Sequence, residues 1–138
     1  MSSISVIAHW ELPAALKDPS AQKKIWVHWS HTAKAFGCTR IALVDVDGDC
    51  PTFGDNEIEL SIHTDLQSAI EATTRDHIYV EQGGTSIDGF THPDEATYIF
   101  GSNYGQLPRA DISINSLGPL HDVISLGIVL GHRGLEWR

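Results

Sequence analysis

Small, β-branched and apolar residues alternate over Ser2–His9, and this pattern predicts a first strand. Glu11–Gln22 holds two prolines and predicts a loop or broken turn. Over Lys23–Phe36 the period changes: Ile25, Trp29, Ala33 and Phe36 recur at helical spacing, and Gly37 fits the C-cap of that helix. Ile41–Asp45 is a short apolar strand of the kind buried on both faces of a parallel sheet. Asp47–Asn56 predicts a polar loop and Glu57–Ile62 a short extra strand, after which Asp65 N-caps a helix reaching about Thr73. His77–Glu81 predicts a strand and Gln82–Ser86 a turn at its carboxyl end. Thr97–Phe100 and Asp111–Ile114 predict two more strands, separated by a loop over Gly101–Arg109. Pro119 opens a last helix running to about His132. Leu120, Val123, Ile124, Leu126, Ile128, Val129 and Leu130 make that helix apolar nearly all round, so burial is expected for it.

Strands alternating with helices predict an α/β fold with a parallel sheet flanked by helices, as a single domain over residues 1–138. In such sheets ligands sit beyond the carboxyl ends of the strands. Three loops rich in glycine or small residues take that position: Gln82–Ser86, Gly101–Gly105 and Asn115–Pro119. Small residues there let a ligand approach the backbone closely.

Composition changes this picture in two places. The charge of −9 argues against indiscriminate binding to nucleic acid, yet the basic residues are unevenly placed. Lys17, Lys23, Lys24, Lys34 and Arg40 face only Glu11 and Asp18 within the first 40 residues, so a polyanion is expected to approach this segment. Lys24, His28, His31 and Ala35 follow helical spacing as a row beside the apolar stripe, read either as a solvated helix face or as a row of donors toward a substrate. Otherwise the chain has the composition of an ordinary soluble domain, with no apolar run near the ~20 residues of a membrane span. The first ten residues lack the basic and apolar regions of a secretory signal. Cys38 and Cys50 are read as two thiols of a protein in the reduced cytoplasm.

Metal and hydrolase chemistry find little support. Asp45-Val-Asp-Gly-Asp49 imitates the start of a calcium loop, but counting from Asp45 places Cys50 where the loop needs glycine and Asn56 where it needs glutamate. His28 and His31 share a helix face without an HExxH or CxxC partner, so no metal is expected. A GxSxG elbow is absent, and neither cysteine has a convincing base partner.

Three segments, in order, resemble the motifs of the SPOUT superfamily of RNA methyltransferases. Lys24-Ile-Trp-Val-His28 with Thr32-Ala-Lys-Ala-Phe-Gly37 resembles the first, Tyr98–Gly105 the second, and Ile112–Arg133 the third. Within the superfamily the chain is most similar to the archaeal family that 2′-O-methylates a cytidine ribose in the T-loop of tRNA. Lys24, Ile25 and His28 match its first motif; Gly101, Ser102 and Pro108 match its second loop in part; Pro119, His121, Asp122, Val123 and Leu126 match its third in part. The TrmH-like group differs more: its first-motif Asn, Gly and Arg fall on Ile25, Val27 and His31, its third-motif Asn on His121, and its second-loop Glu on Asn103.

The resemblance implies a C-terminal trefoil knot, a homodimer, S-adenosyl-L-methionine as cofactor and RNA, chiefly tRNA, as partner. The implied cofactor contacts are Gln82, Gly83, Phe100, Gly101, Ser102, Asn103, Gly105, Ile114, Asn115, Ser116, Leu120, His121 and Val123. Lys23, Lys24 and Lys34 are the implied RNA contacts. Methyl transfer to a ribose hydroxyl needs a proton acceptor, and neutral imidazole serves at pH 7, which makes His28, His31 and His121 the candidate catalytic residues. Trp26 and Trp29 are expected at the dimer interface, as large apolar residues that a small monomer struggles to cover. Two other readings stay open: a SPOUT-fold binding protein that has lost catalysis, and a small α/β enzyme or nucleotide-binding module unrelated to SPOUT.

Overall fold

The computed structural model describes residues 4–12, 14–51, 53, 58–73, 76–101, 107–114 and 122–136. Strands β1 (Ile4–His9), β2 (Arg40–Val44), β3 (Glu59–His63), β4 (His77–Ser86), β5 (Ala96–Phe100) and β6 (Ile112–Ser113) form one sheet in the order β3-β2-β1-β5-β4-β6. Every pairing in it is parallel, as the alternation of strands and helices predicts. Helices α1 (Pro19–Ala35), α2 (Leu66–Ala72) and α3 (Asp122–Glu136) complete the described elements. The chain moves outward from β1 to β3 and then returns to build the other half, so the strand order reverses between β1 and β5.

Side chains along a strand point alternately to opposite faces. Val6 and Ala8 therefore join the larger core, where Trp26, Trp29 and Ala33 of α1 and Leu126, Val129 and Leu130 of α3 lie over Ile41, Leu43, Tyr98 and Phe100. Ile7 joins the smaller one, with Ala42, Val44, Ala69 of α2, Tyr79, Ile99 and Leu107. Each fully buried leucine or valine here contributes about 1.5–3 kcal/mol, and these two layers hold the sheet.

Local signals set most boundaries. Asp18 N-caps α1 by accepting from the Ala21 N–H at 3.0 Å, and Pro19 occupies its first turn, so the helix starts at Pro19 rather than at Lys23. Proline breaks a helix interior but suits its start. Gly37, at φ +84°, ends α1 by donating to the Lys34 carbonyl at 3.0 Å. The buried stripe is Gln22, Trp26, Trp29 and Ala33, while Ile25 is half-buried and Phe36 exposed. Trp26 stacks on Phe53 and Trp29 meets Phe100 edge-on, so both tryptophans belong to the monomer core and not to a dimer interface. Asp65 caps α2 as expected, accepting from the Ser68 N–H at 2.8 Å. Cys38 and Cys50 are free thiols, each pushed up to about 12 chiefly by burial.

The right half of the sheet departs from the sequence reading. Gln82–Ser86 is not a turn but the continuation of β4. Thr85 and Ser86 pair with Ile112 and Ser113 after a register shift from Val80, and the Thr85 N–H donates to the Asp111 carbonyl at 3.1 Å. Gly84 passes so close to β6 that a Cβ on it would lie 2.8 Å from the backbone N and C of Ile112.

The last helix runs past His132 to Glu136, and it is not buried all round: Ile128 is exposed. Its glycines face α1, Gly127 toward Thr32 and Gly131 and Gly134 toward Phe36. A buried polar network ties its end to the sheet. His92 bonds through Nδ1 to the Tyr98 hydroxyl at 2.6 Å and through Nε2 to His132 Nδ1 at 2.8 Å. Arg133 donates to the carbonyls of Pro93 and Asp94 at 2.6 and 2.7 Å and to the Tyr98 hydroxyl at 3.3 Å. The expected start of this helix at Pro119 and the expected knot lie outside the described residues.

Candidate functional site

Strand order reverses between β1 and β5, and sheets of this kind bind their ligands in a crevice at the carboxyl ends of the strands beside such a reversal. His9 closes β1, and its Nδ1 lies 2.9 Å from the carbonyl oxygen of Phe100, which closes β5. A carbonyl oxygen only accepts, so Nδ1 carries the ring proton and Nε2 keeps a lone pair. Among the described residues Nε2 has no hydrogen-bond partner. Burial lowers the His9 pKa below its ordinary 6.5, against smaller opposing pulls from the Phe100 bond and the charge of Glu11.

Gly101 follows directly. A Cβ there would stand 3.2 Å from Oε2 of Glu81 on β4, so the glycine lets that carboxylate lie close over the end of β5. Phe100 offers only its backbone, because its side chain is buried under Trp29. Gly83 stands at φ +93° in the irregular part of β4, and the half-buried Ile114 follows β6.

Of the expected cofactor residues, Phe100, Gly101 and Ile114 fall at or just past the ends of β5 and β6, Gln82 and Gly83 fall within β4, and Val123 falls in the first turn of α3. Ser102, Asn103, Gly105, Asn115, Ser116, Leu120 and His121 lie outside the described residues. Sequence reasoning missed His9 and Glu81. Each is a polar residue closing an apolar strand segment at the ligand end of the sheet, and that position was the available signal.

Lys24, His28 and His31 are exposed along one face of α1, with Lys23 and Lys34 beside them. The face lies opposite Trp26, Trp29 and Ala33 and so points away from the sheet. Because α1 crosses between two parallel strands it runs against them, and Lys23 and Lys24 stand nearest the strand carboxyl ends. Seven residues of helix, about 10 Å, separate Lys24 from His31. Within one chain, then, the row and the crevice lie on different sides of α1, and no hydrogen bond to another described residue orients His28 or His31.

A concavity of about 480 Å³ opens beside the amino end of β4 and is lined by His77, Phe90 and Arg109 among others. Its cation is engaged: Arg109 meets both Asp111 carboxylate oxygens at 3.1 Å, donates to the His77 carbonyl at 3.0 Å and stacks 4.7 Å over Tyr79. Burial also lowers the His77 pKa. His9 and His77 therefore stay neutral in the folded chain at pH values where the unfolded chain binds protons. Their contribution to stability is complete above about pH 6.5 and is lost as the pH falls through the lowered folded values. Melting curves are expected to show a smaller drop in Tm between pH 7.5 and 5.5 for His77→Gln than for the parent; an unchanged drop contradicts this assignment.

No family model matches the chain, and no curated protein matches it in sequence. Solved structures do match. One reported for the 2-OH methylation of C/U34 on tRNA has a TM-score of 0.63 at 16% identity, over 99% of both chains. The TrmH/SpoU tRNA modifying enzyme of A. aeolicus has a TM-score of 0.63 at 11% identity, over 96% of this chain and 74% of its own. A putative RNA methyltransferase of the TrmH family from Porphyromonas gingivalis has a TM-score of 0.61 at 12% identity, over 94% and 58%. At these identities the likeness is one of architecture, and the chain has the fold of these TrmH and TrmH/SpoU structures.

Proposed function

We propose that this chain is an S-adenosylmethionine-dependent RNA methyltransferase that modifies a ribose 2′-hydroxyl of tRNA or another structured RNA in the cytoplasm. The observation that carries the reading is the likeness of fold along the whole length of both chains to a protein that acts on tRNA.

The cofactor supplies an electrophilic methyl group when bound. Backbone groups of Gln82, Gly83, Phe100 and Gly101 and the segment from Ile114 to Val123 hold it in this reading, with Ser102, Asn103, Gly105, Asn115, Ser116, Leu120 and His121 completing the contacts. Lys23, Lys24 and Lys34 meet RNA phosphates, and His28 and His31 lie along the same RNA-facing row. Since that row points away from the crevice of its own chain, a homodimer that sets the row of one copy against the crevice of the other unites the two halves. The knot of the resembled fold belongs to this reading and encloses the cofactor loops.

Titration calorimetry is expected to show binding of S-adenosylmethionine, and tritiated methyl groups are expected to enter an unmodified tRNA transcript pool. Lys24→Ala should flatten the log–log salt dependence of RNA binding by about one. Cofactor binding without transfer on any RNA supports the non-catalytic binding protein instead. No binding at millimolar cofactor overturns the reading.

A further inference from the structure

We propose that His9 is the proton acceptor of the transfer site, held by the Phe100 carbonyl through Nδ1 and leaving Nε2 free to take the proton of the attacking hydroxyl. The inference rests on the methyltransferase reading and goes beyond it, since the histidines that the sequence singles out are His28, His31 and His121.

Three observations carry it. The first is position: His9 ends β1 at the point where strand order reverses, and its ring bonds the carbonyl of Phe100, the residue before Gly101. The second is the tautomer. An acceptor must present a lone pair, and the 2.9 Å bond from Nδ1 to the Phe100 oxygen leaves it on Nε2. Neither α1 histidine has a described partner that does this. The third is protonation: burial keeps the ring neutral, as an acceptor must be before reaction. The charged group acting on it is Glu11, just beyond β1. Its carboxylate would stabilise the imidazolium once it forms.

The step balances. The ribose O–H bond breaks and its proton passes to Nε2. The oxygen bonds the methyl carbon while the carbon–sulfur bond breaks, its electron pair returning to the sulfonium sulfur, which leaves as a neutral thioether. His9 then returns the proton to solvent.

The test has two arms. NMR titration of the His9 ring in the whole chain compares saturating S-adenosylmethionine with S-adenosylhomocysteine. A nearby sulfonium charge opposes a second positive charge, so the His9 pKa should be lower with the former by about 0.5 or more. Equal values, with both ligands bound, overturn the proposal and leave the proposed function standing. In the second arm His9→Asn keeps a donor for the Phe100 carbonyl and removes the base. It should retain Tm and cofactor affinity and lose about 10²–10⁴-fold in transfer to the tRNA transcript pool. Turnover within threefold of the parent shows that His9 is only a strut between β1 and β5. Absence of cofactor binding overturns the proposed function, and this role with it.

Discussion

Gly84→Ala is expected to lower Tm by roughly 5–15 °C, corresponding to about 1–3 kcal/mol. The added methyl would lie 2.8 Å from the N and C of Ile112 and 2.9 Å from the C of Asp111. These are backbone atoms of a paired strand and cannot rotate aside as a side chain would. Relief requires β4 and β6 to part, which breaks the 3.1 Å bond from Thr85 N to Asp111 O. Gly89→Ala is the control, because a Cβ there meets nothing within 4 Å. Thermal melting should leave that variant near the parent. Equal Tm values for the two variants would mean that β4 does not cross Ile112 as described.

Arg133→Met is expected to cost more, about 3–5 kcal/mol. The side chain is buried, and its guanidinium reaches the carbonyls of Pro93 and Asp94 and the hydroxyl of Tyr98. Methionine fills much of the volume but leaves the carbonyls of Pro93 and Asp94 and the buried Tyr98 hydroxyl without this donor. Arg133→Lys should recover only part of the loss, since one ammonium cannot reproduce the planar fork that spans two carbonyls. Denaturant unfolding measures both. If Arg133→Met unfolds at the parent midpoint, the network does not anchor α3.

Features set by a few adjacent residues were legible in the sequence. Asp65 with its helix, Gly37 at its C-cap and the apolar β2 all depend on neighbours within a turn, and each stands where the pattern places it. Pro19 misled only because proline means one thing inside a helix and another at its start. The continuation of β4 was not legible: Gln82–Ser86 has the composition of a turn, and only pairing with Ile112 and Ser113 makes it a strand. The tryptophans misled for a similar reason, because Phe53 and Phe100, distant in sequence, supply their cover. Half of the candidate site was legible as glycine-rich strand ends. His9 was not, since its bond to Phe100 spans 91 positions of the chain.

That separation also orders events during synthesis. Residues up to His63 can pair β1, β2 and β3, but β1 then ends the sheet with one edge bare. An unpaired edge is a template for wrong partners. Its proper partner, β5, is complete only when Phe100, 91 positions after His9, has been made, roughly 5–20 seconds later at ribosomal rates. The middle of the sheet thus closes late, with only β6 still to join the far edge, and the ligand end of β1 takes shape in the same moment that its exposed edge disappears.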